Sequence, residues 1–275
     1  MTEPPRVAIV MPVWNQVAYT RLCLESLKKS LIPNAQIIVV NNGSTDESGL
    51  FLAGQTDIRL ITNKANLGCG AAWNQGARAA ADAEWISFLN NDVILSTGWL
   101  AGLLSFAQEW KVDIVSPAVR EGEADYEFDQ YAREFVGKMF HVRRLGVAHG
   151  ICFMAHSEVF KTIGYFDENF HIGQFEDADF FRRAAAAGFR LATTGRSLIH
   201  HFGSVTQVSL RKEGTASYEA ENRAYYNRKW KLTWWKRLLI RHKNKIRHLV
   251  WRHREFSQQG HTLKERWKKG RLHYY

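Results

Sequence analysis

Short apolar runs alternate with longer amphipathic segments over the first 110 residues of the chain. Runs rich in Val and Ile predict four strands, at residues 6–13, 36–40, 58–61 and 85–89. Segments with apolar residues at helical spacing or with many alanines predict three helices, at residues 19–30, 71–83 and 97–110. Strands that alternate with helices are typical of a mostly parallel sheet flanked by helices. We therefore expect a Rossmann-like α/β fold.

The net charge of +10 is confined to one end of the 275-residue chain. Residues 1–227 contain 21 Lys and Arg against 25 Asp and Glu, whereas residues 228–275 contain 16 against 2. The second segment also holds five of the ten tryptophans. This break in composition predicts a mildly acidic α/β domain over residues 1–227 and a basic, Trp-rich helical tail over residues 228–275.

The apolar residues of the tail recur at helical spacing with Lys and Arg between them, which predicts an amphipathic helix. They are Trp230, Trp234, Trp235, Leu238, Leu239, Ile246, Leu249 and Val250. Such a helix suits the anionic surface of a membrane, with Trp at the interface. The same stripe would also allow packing on the body of the protein or on a second subunit. Nucleic acid is a third partner for a basic tail, but no recognised nucleic-acid-binding fold accompanies it.

Length and cysteine content exclude several classes of protein. A chain of 275 residues buries enough surface to fold without disulfide or metal staples. Its three cysteines, Cys23, Cys69 and Cys152, are far apart and form neither a disulfide framework nor a Cys-x-x-Cys motif. No apolar stretch reaches the roughly 18 residues of a membrane span, and the first residues lack a signal-peptide pattern. We expect a cytoplasmic protein, peripheral on the inner face of the cell membrane.

Candidate ligand-binding residues lie at the ends of the predicted strands and in the segments that follow them, at the edge where open parallel sheets bind their ligands. In chain order they are Pro12, Trp14 and Asn15; Asn41, Asn42 and Ser44; Asn66, Gly68 and Asn74; and Asn90, Asn91 and Asp92. Further along, Glu176, Asp177 and Asp179 open a predicted helix, and His200 and His201 end an apolar segment. Taken singly, each group also has a structural explanation, such as an Asx turn or carboxylates at a helix N-terminus.

Taken together and in this order, the motifs resemble those of family-two glycosyltransferases with a GT-A fold. The segments that carry the resemblance are Met-Pro-Val-Trp-Asn at 11–15, Asn-Asn-Gly-Ser-Thr-Asp at 41–46, Asn-Leu-Gly at 66–68, Asn-Asn-Asp at 90–92, Gly-Tyr-Phe-Asp at 164–167, Glu-Asp-Ala-Asp at 176–179 and His-His at 200–201. The pattern looks most like the rhamnosyltransferase-type bacterial branch that builds surface polysaccharide. The resemblance covers roughly residues 6–227.

The resemblance implies roles for these residues. Asp92 would hold a divalent cation, Mn²⁺ or Mg²⁺, and His200 or His201 would contact the cation or the diphosphate. Asp177 matches the general base, with Glu176 and Asp179 orienting it or contacting the acceptor. The segment 145–155, which includes Gly150, resembles the acceptor side. The remaining residues that follow the strands would bind the nucleotide-sugar.

The function implied is an inverting transfer from a nucleoside diphosphate-sugar to a glycan, lipid-linked or protein acceptor. Asn90 replaces the first carboxylate of the usual Asp-x-Asp motif, and Asn41 and Asn42 replace acidic residues of many relatives, so the donor nucleotide stays open. A nucleotidyltransferase would need a glycine-rich basic loop after the first strand, which is missing at residues 13–16. The alternative is a noncatalytic nucleotide- or nucleic-acid-binding protein that uses its basic tail. Residues 121–134 are expected to form a solvated, mobile insertion over the cleft.

Overall fold

Eleven strands within the described residues form one mixed sheet. The structure is a computed structural model that describes residues 5–30, 32–203 and 217–275. The strands are β1 (Val7–Val13), β2 (Ala35–Asn42), β3 (Arg59–Asn63), β4 (Trp85–Leu89), β5 (Val93–Leu95), β6 (Ile114–Glu121), β7 (Arg143–Leu145), β8 (Cys152–His156), β9 (Leu191–His201), β10 (Lys264–Lys268) and β11 (Arg271–Tyr274).

Helices connect the strands and cover both faces of the sheet. They are α1 (Val17–Lys29), α2 (Ser48–Ala53), α3 (Cys69–Ala79), α4 (Trp99–Trp110), α5 (Phe128–Met139), α6 (Ser157–Ile163), α7 (Glu176–Ala186), α8 (Ser217–Lys229) and α9 (Trp234–Gln259). Within the ranges described above, no helix combines the length and the apolar character needed to cross a membrane.

The parallel part of the sheet has the order β3-β2-β1-β4, and its four strands confirm the four predicted from the sequence. Both of its faces are buried. Along β1, Ile9 and Met11 point into one core with α1 and α4, while Val10 points into the other with α3. Gly76 of α3 lies so close to Val10 that a β-carbon there would be 2.2 Å from Cγ1. This close packing fixes α3 on the sheet and, with it, the loop that precedes α3.

The other half of the sheet is mixed and carries the rest of the site. β8 is antiparallel to both β4 and β6, and the long strand β9 runs parallel to β6. The end of β9 also pairs with β5, in a register that sets Val93 opposite His201. This pairing brings Asp92, which directly precedes β5, beside the end of β9.

The prediction of an insertion over residues 121–134 was wrong, because this segment contains the end of β6 and the packed helix α5. The solvated charge predicted for it is present, since Glu123, Asp125 and Glu134 are exposed. Glu121 is the buried last residue of β6, and α5 packs with Phe128, Ala132, Phe135 and Met139 buried. These four residues have the spacing of one helix face, so the apolar side of an amphipathic helix meets the sheet while the acidic residues face solvent.

The C-terminal segment is helical only in part. The predicted amphipathic helix is present as α9, but β10 and β11 follow it, and β10 lies parallel to β6 at the edge of the main sheet. The compositional break after residue 227 falls inside α8. The change in charge therefore does not coincide with the end of the α/β sheet.

Candidate active site

A pocket of about 510 Å³ opens at the carboxyl ends of β1, β2 and β4, a size suited to a small-molecule ligand. Of the residues singled out in the sequence, the pocket is lined by Pro12, Trp14, Asn42, Asn66, Asn90, Asn91, Asp92, Gly150, Glu176, Asp177 and His201. Asn15, Asn41, Ser44, Gly68, Asn74, Asp179 and His200 are not in its lining. The structure thus brings most of the predicted residues together around one space.

A network of side-chain amides holds the loop on the β2 side of the pocket. Asn42 donates to Asn66 Oδ1 at 2.8 Å and accepts from the backbone N–H of Leu67 at 3.1 Å. An aspartate at position 42 would lack the donor, which explains physically why an amide serves here. Asn41 accepts from the backbone of Ser44 and is buried, so it shapes this loop from outside the pocket.

The loop after β1 is fixed in a similar way. The backbone N–H of Asn15 donates to Ser44 Oγ at 2.9 Å, and Asn15 Oδ1 accepts from Thr45 N–H at 2.7 Å. Across the pocket floor, Asn91 donates to Thr20 Oγ1 at 2.9 Å and ties the end of β4 to α1. Asn15 and Ser44 therefore support the pocket wall next to Trp14.

His200 and His201 are neighbours in β9 but face opposite sides of the sheet, because side chains alternate along a strand. His201 lines the pocket, where its Nε2 lies 3.4 Å from Asp92 Oδ2. His200 is fully buried, and its two ring nitrogens pair with Tyr126 Oη at 2.8 Å and with the carbonyl of Gly122 at 3.0 Å. Of the two predicted ligands, only His201 is brought to the site.

Two carboxylates surround the His201 ring. Its Nδ1 lies 3.9 Å from Glu121 Oε1, opposite the Asp92 side. Burial lowers the pKa of His201, but the nearby carboxylates of Asp92 and Glu121 outweigh burial and raise that pKa to about 9. The same negative surroundings favour a divalent cation, which would bind Nε2 in place of its proton.

Glu176 and Asp177 stand at the N-terminus of α7. The backbone N–H of Ala178 donates to Asp177 Oδ1 at 2.7 Å. A β-carbon at Gly150 would be 2.3 Å from Asp177 Oδ2, so only glycine allows the backbone to pass here. Burial raises the pKa of Asp177, and the backbone N–H groups of Ala178 and Gly150 oppose that effect.

Glu176 is the more deeply enclosed member of the pair. Burial first, and then the negative charge of Asp177, raise the pKa of Glu176. Its Oε2 is buried and has no hydrogen-bond partner among the residues that the structure describes. The environments of the two carboxyl groups therefore favour a proton on Glu176.

The loop before α7 supplies pocket residues that the sequence did not reveal. Ile172, Gln174 and Phe175 all have positive φ angles of 61–74°, which is uncommon for residues with a β-carbon. Asn222 of α8 holds this loop by donating to the carbonyls of His171 and Gly173, each at 2.8 Å, while accepting from the N–H of His171. No local motif marks such a loop, because its strain is maintained by contacts from a distant helix.

Asp179 does not line the pocket, where the acceptor was predicted, and instead stabilises the packing of helices. Its carboxylate is fully buried and accepts from Arg183 Nε at 2.8 Å, Trp230 Nε1 at 2.9 Å and Lys229 Nζ at 2.9 Å. Asn74 is also structural, since its amide pairs with the backbone N–H and carbonyl of Phe166. Asp179 therefore joins α8 to α7, and Asn74 joins α3 to the segment before α7.

Two groups in the pocket offer ligands for a divalent cation. Within residues 5–30, 32–203 and 217–275, no cluster of three or more His, Cys, Asp and Glu side chains is placed to hold a metal ion. Asp92 and His201 nevertheless present an oxygen and a nitrogen 3.4 Å apart at the pocket surface. These two residues fit a site in which the substrate and water complete the coordination.

A helix-covered sheet with a pocket at its carboxyl edge is typical of open α/β folds, among them the GT-A fold. The chain belongs to glycosyl transferase family 2, whose family model matches residues 8–179. A pre-mycofactocin glycosyltransferase from Mycobacterium tuberculosis is 30% identical over 208 residues, which cover 71% of this chain and 42% of the relative. The chain thus spans less than half the length of that relative.

Solved structures share the fold at low sequence identity. TarS from S. aureus is 17% identical, with a TM-score of 0.56 over 72% of this chain and 61% of the TarS chain. The mannosyltransferase PcManGT from Pyrobaculum calidifontis, solved in complex with GDP-Man and Mn²⁺, is 19% identical, with a TM-score of 0.55 over 73% of this chain and 57% of its own. These similarities place the observed sheet and helices among GT-A glycosyltransferases.

Proposed function

We propose that the protein is an inverting, metal-dependent glycosyltransferase that moves a sugar from a nucleoside diphosphate-sugar to an acceptor hydroxyl. One observation carries this proposal: Asp177 and Asp92 line the same pocket. A carboxylate that accepts a proton and a carboxylate that holds a cation are the two groups that such a transfer needs. Family membership and the solved complexes of TarS with UDP-GlcNAc and of PcManGT with GDP-Man and Mn²⁺ support the class of donor.

Asp177 is the residue that we assign as the general base. In an inverting transfer, the acceptor oxygen attacks the anomeric carbon from the face opposite the diphosphate, and a base removes the hydroxyl proton. Burial raises the pKa of Asp177, so its carboxylate binds a proton more readily than an exposed aspartate does. The close backbone of Gly150 limits the positions open to this carboxylate.

Glu176 is assigned as a neutral acid beside the base. With a proton on Glu176, the pair carries one negative charge, which remains on Asp177. Glu176 lines the pocket, so its neutral carboxyl group can face the reacting sugar without adding a second negative charge. Glu176 orients the reacting sugar in this proposal and leaves proton abstraction to Asp177.

Asp92 and His201 are assigned as ligands of a divalent cation, Mn²⁺ or Mg²⁺. Such a cation would neutralise negative charge on the leaving nucleoside diphosphate. The pairing of β5 with β9 holds Asp92 against His201, and Asn91 anchors the preceding turn to α1. Trp14, Asn42 and Asn66 line the same pocket and are assigned to the nucleotide-sugar.

The acceptor is assigned to the side of the pocket next to Asp177 and Gly150. We propose a glycan, lipid-linked or protein hydroxyl, in the synthesis of surface polysaccharide.

Nine large apolar side chains of α9 are at least 38% exposed, and only Glu255 of this helix is buried. Eight Lys and Arg of α9 stand against that single acidic residue. Exposed apolar and basic side chains on one helix suit an anionic lipid surface, so we assign α9 as the membrane contact of a peripheral protein.

Thermal unfolding with UDP, dTDP, GDP and CMP, each with and without Mn²⁺, tests the donor site, because a ligand that binds only the folded protein raises the Tm. We expect one nucleotide to raise the Tm only with Mn²⁺. Asp177→Asn should keep that shift but lower sugar transfer by about 10²- to 10⁴-fold. Asp129→Asn, a matched change of an exposed residue on α5, should match the wild type. No shift with any nucleotide, or full transfer by Asp177→Asn, would contradict the proposal.

A further inference from the structure

A row of charged side chains crosses the sheet behind the pocket. His201 of β9 is the register partner of Glu121 of β6, which in turn is the partner of Arg266 of β10. Asp92 adds a fourth member on the far side of His201. Carboxylates therefore alternate with basic side chains along the row, in the order Asp92, His201, Glu121, Arg266. This row of side chains connects β10 to the pocket.

Glu121 is the buried link between β10 and the pocket. Arg266 Nε donates to Glu121 Oε2 at 2.7 Å, and its Nη2 contacts the same oxygen. Lys264 Nζ lies 3.2 Å from Glu121 Oε1, the oxygen that faces His201. A guanidinium fork of this kind fixes a carboxylate in position as well as neutralising it.

A second row, on the opposite face of the same strands, holds β10 in place. There, His200 is the register partner of Arg120, and Arg120 is the partner of Glu265. Glu265 is fully buried and accepts a hydrogen bond from the Tyr131 hydroxyl of α5. Because Arg266 is adjacent to this anchored residue, its position relative to Glu121 is determined by contacts that do not involve the pocket.

Glu121 is the acidic side chain nearest to Nδ1 of His201, the ring nitrogen that does not face Asp92. Nδ1 of His201 is buried, has no hydrogen-bond partner among the described residues and lies 3.9 Å from Glu121. Where an imidazole binds a metal through one nitrogen, an acidic group at the other nitrogen orients the ring and increases its basicity. The geometry here has the same order, with Nε2 directed toward Asp92.

We propose that Glu121, held by Arg266, is a positioning residue that directs His201 Nε2 toward Asp92 and so sets the affinity of the pocket for a divalent cation. The inference rests on the proposed cation ligands, Asp92 and His201. It makes β10 a functional part of the cation-binding half of the pocket. Glu121 acts through His201, and Arg266 acts through Glu121.

Binding of Mn²⁺ to the full chain, followed by the loss of the free-ion electron paramagnetic resonance signal, tests this inference without any turnover. Glu121→Gln is expected to weaken Mn²⁺ binding by about 10- to 100-fold. Arg266→Gln should also weaken it, and the double variant should bind no more weakly than Glu121→Gln, because the effects of coupled residues do not add. Arg266→Lys, which keeps the charge without the fork, should restore part of the affinity.

Arg271→Gln is the matched control, since Arg271 is exposed on β11 of the same hairpin, and it should bind Mn²⁺ as the wild type does. Thermal unfolding of each variant checks folding. Because the Arg266 side chain is half-exposed, Arg266→Gln is expected to fold and to test the inference even where Glu121→Gln does not fold. Folded Glu121→Gln or Arg266→Gln protein with wild-type affinity would overturn this inference alone. Wild-type protein that binds no Mn²⁺, either alone or with the nucleotide that raises the Tm, would overturn the cation assignment at Asp92 and His201, and this inference with it.

Discussion

The backbone of Gly150 passes so close to the carboxylate of Asp177 that a β-carbon at position 150 would lie 2.3 Å from Oδ2 and 2.8 Å from Cγ. The proposed base is thus positioned by a residue without a side chain, on the strand side of the pocket. A glycine here serves close approach, since its φ angle is not in the positive range.

Gly150→Ala should displace the proposed base. The added methyl group collides with Asp177, and a misplacement near 1 Å lowers the rate of a positioned reaction by about 10²-fold. We expect a loss of this order in kcat for sugar transfer, with nucleotide binding kept.

Gly137→Ala is the matched control, because a β-carbon at that position of α5 meets nothing within 4 Å. It should leave kcat unchanged and, as a helix position, raise the free energy of unfolding by up to about 1 kcal/mol. Equal kcat for Gly150→Ala and the wild type would show that this contact does not position the base.

Glu176→Gln should change how stability depends on pH. Because burial raises the pKa of Glu176 in the folded protein above its ordinary value of 4.5, the folded chain retains a proton that the unfolded chain releases. The contribution of Glu176 to the free energy of unfolding is fully present below its pKa in the unfolded chain. It is lost as the pH rises through its pKa in the folded chain. The variant should therefore gain stability relative to the wild type between pH 5 and pH 8.

The gain is expected to be on the order of 1 kcal/mol or more, since each tenfold change in proton affinity corresponds to about 1.4 kcal/mol. Urea unfolding at both pH values measures it. Glu123→Gln, a change of an exposed residue, controls for the loss of one carboxylate and should follow the wild type. Parallel pH profiles for Glu176→Gln and the wild type would argue against a protonated Glu176.

The two adjacent histidines should respond differently to replacement by alanine. His201→Ala removes a proposed cation ligand and should weaken Mn²⁺ binding at least 10-fold. His200→Ala removes a buried ring with two hydrogen bonds and should lower the free energy of unfolding by about 2 kcal/mol or more. Mn²⁺ titration and urea unfolding of both variants separate the roles, and loss of Mn²⁺ binding in folded His200→Ala would reverse the assignment.

Asp179→Ala should destabilise the junction between α7 and α8. The change leaves Arg183, Lys229 and Trp230 without their shared buried acceptor, and the loss of one partner from such a group costs about 3 kcal/mol. Asp129→Ala is the exposed comparison. Urea unfolding that gives equal stabilities for the two variants would contradict this account of Asp179.

The proposed membrane contact is best tested on the exposed face of α9. Leu239, Ile246 and Val250 share one face at spacings of seven and four residues, and each is more than half exposed. Replacing all three by Gln should abolish sedimentation with vesicles that contain anionic lipid, while the Tm stays unchanged. The uncharged substitution keeps the basic charge intact, so it isolates the apolar contribution.

A variant with Arg241, Lys245 and Arg252 replaced by Gln tests the charge separately and should lose binding most strongly at low salt. Deletion of residues 228–275 would not be a clean test, because β10 belongs to the main sheet. Equal sedimentation of the wild type and the apolar-face variant would contradict the membrane assignment and would favour a contact with another protein.

The four parallel strands and the polar residues that follow them were predictable from the sequence because both depend on local pattern. Val and Ile runs fix β1 to β4, and the topology of a parallel sheet places the residues after them at one edge. Whether His200 or His201 faces the pocket depends on the register of β9, which the sequence does not determine. Strand alternation, once the register is known, decides it.

The strand β10 was not predictable in this way. Residues 264–268 are mostly charged and lack the alternation of a half-buried strand, since their partners are charges on other elements. The acidic Glu121 likewise indicated solvent in the sequence, although in the structure it is buried against Arg266. An ion pair between residues that are 145 positions apart depends on the tertiary structure and leaves no pattern in the local sequence.

The distance between these partners along the chain also orders events during synthesis. A ribosome adds about 5–20 residues per second, so roughly 7 to 30 s pass between the emergence of β6 and that of β10. During that interval, the β10-facing edge of β6 and the carboxylate of Glu121 lack their final partners. The Asp92 and His201 side of the pocket thus gains its contact with Arg266 only when translation has reached that residue, so a nascent chain holds an incomplete pocket until then.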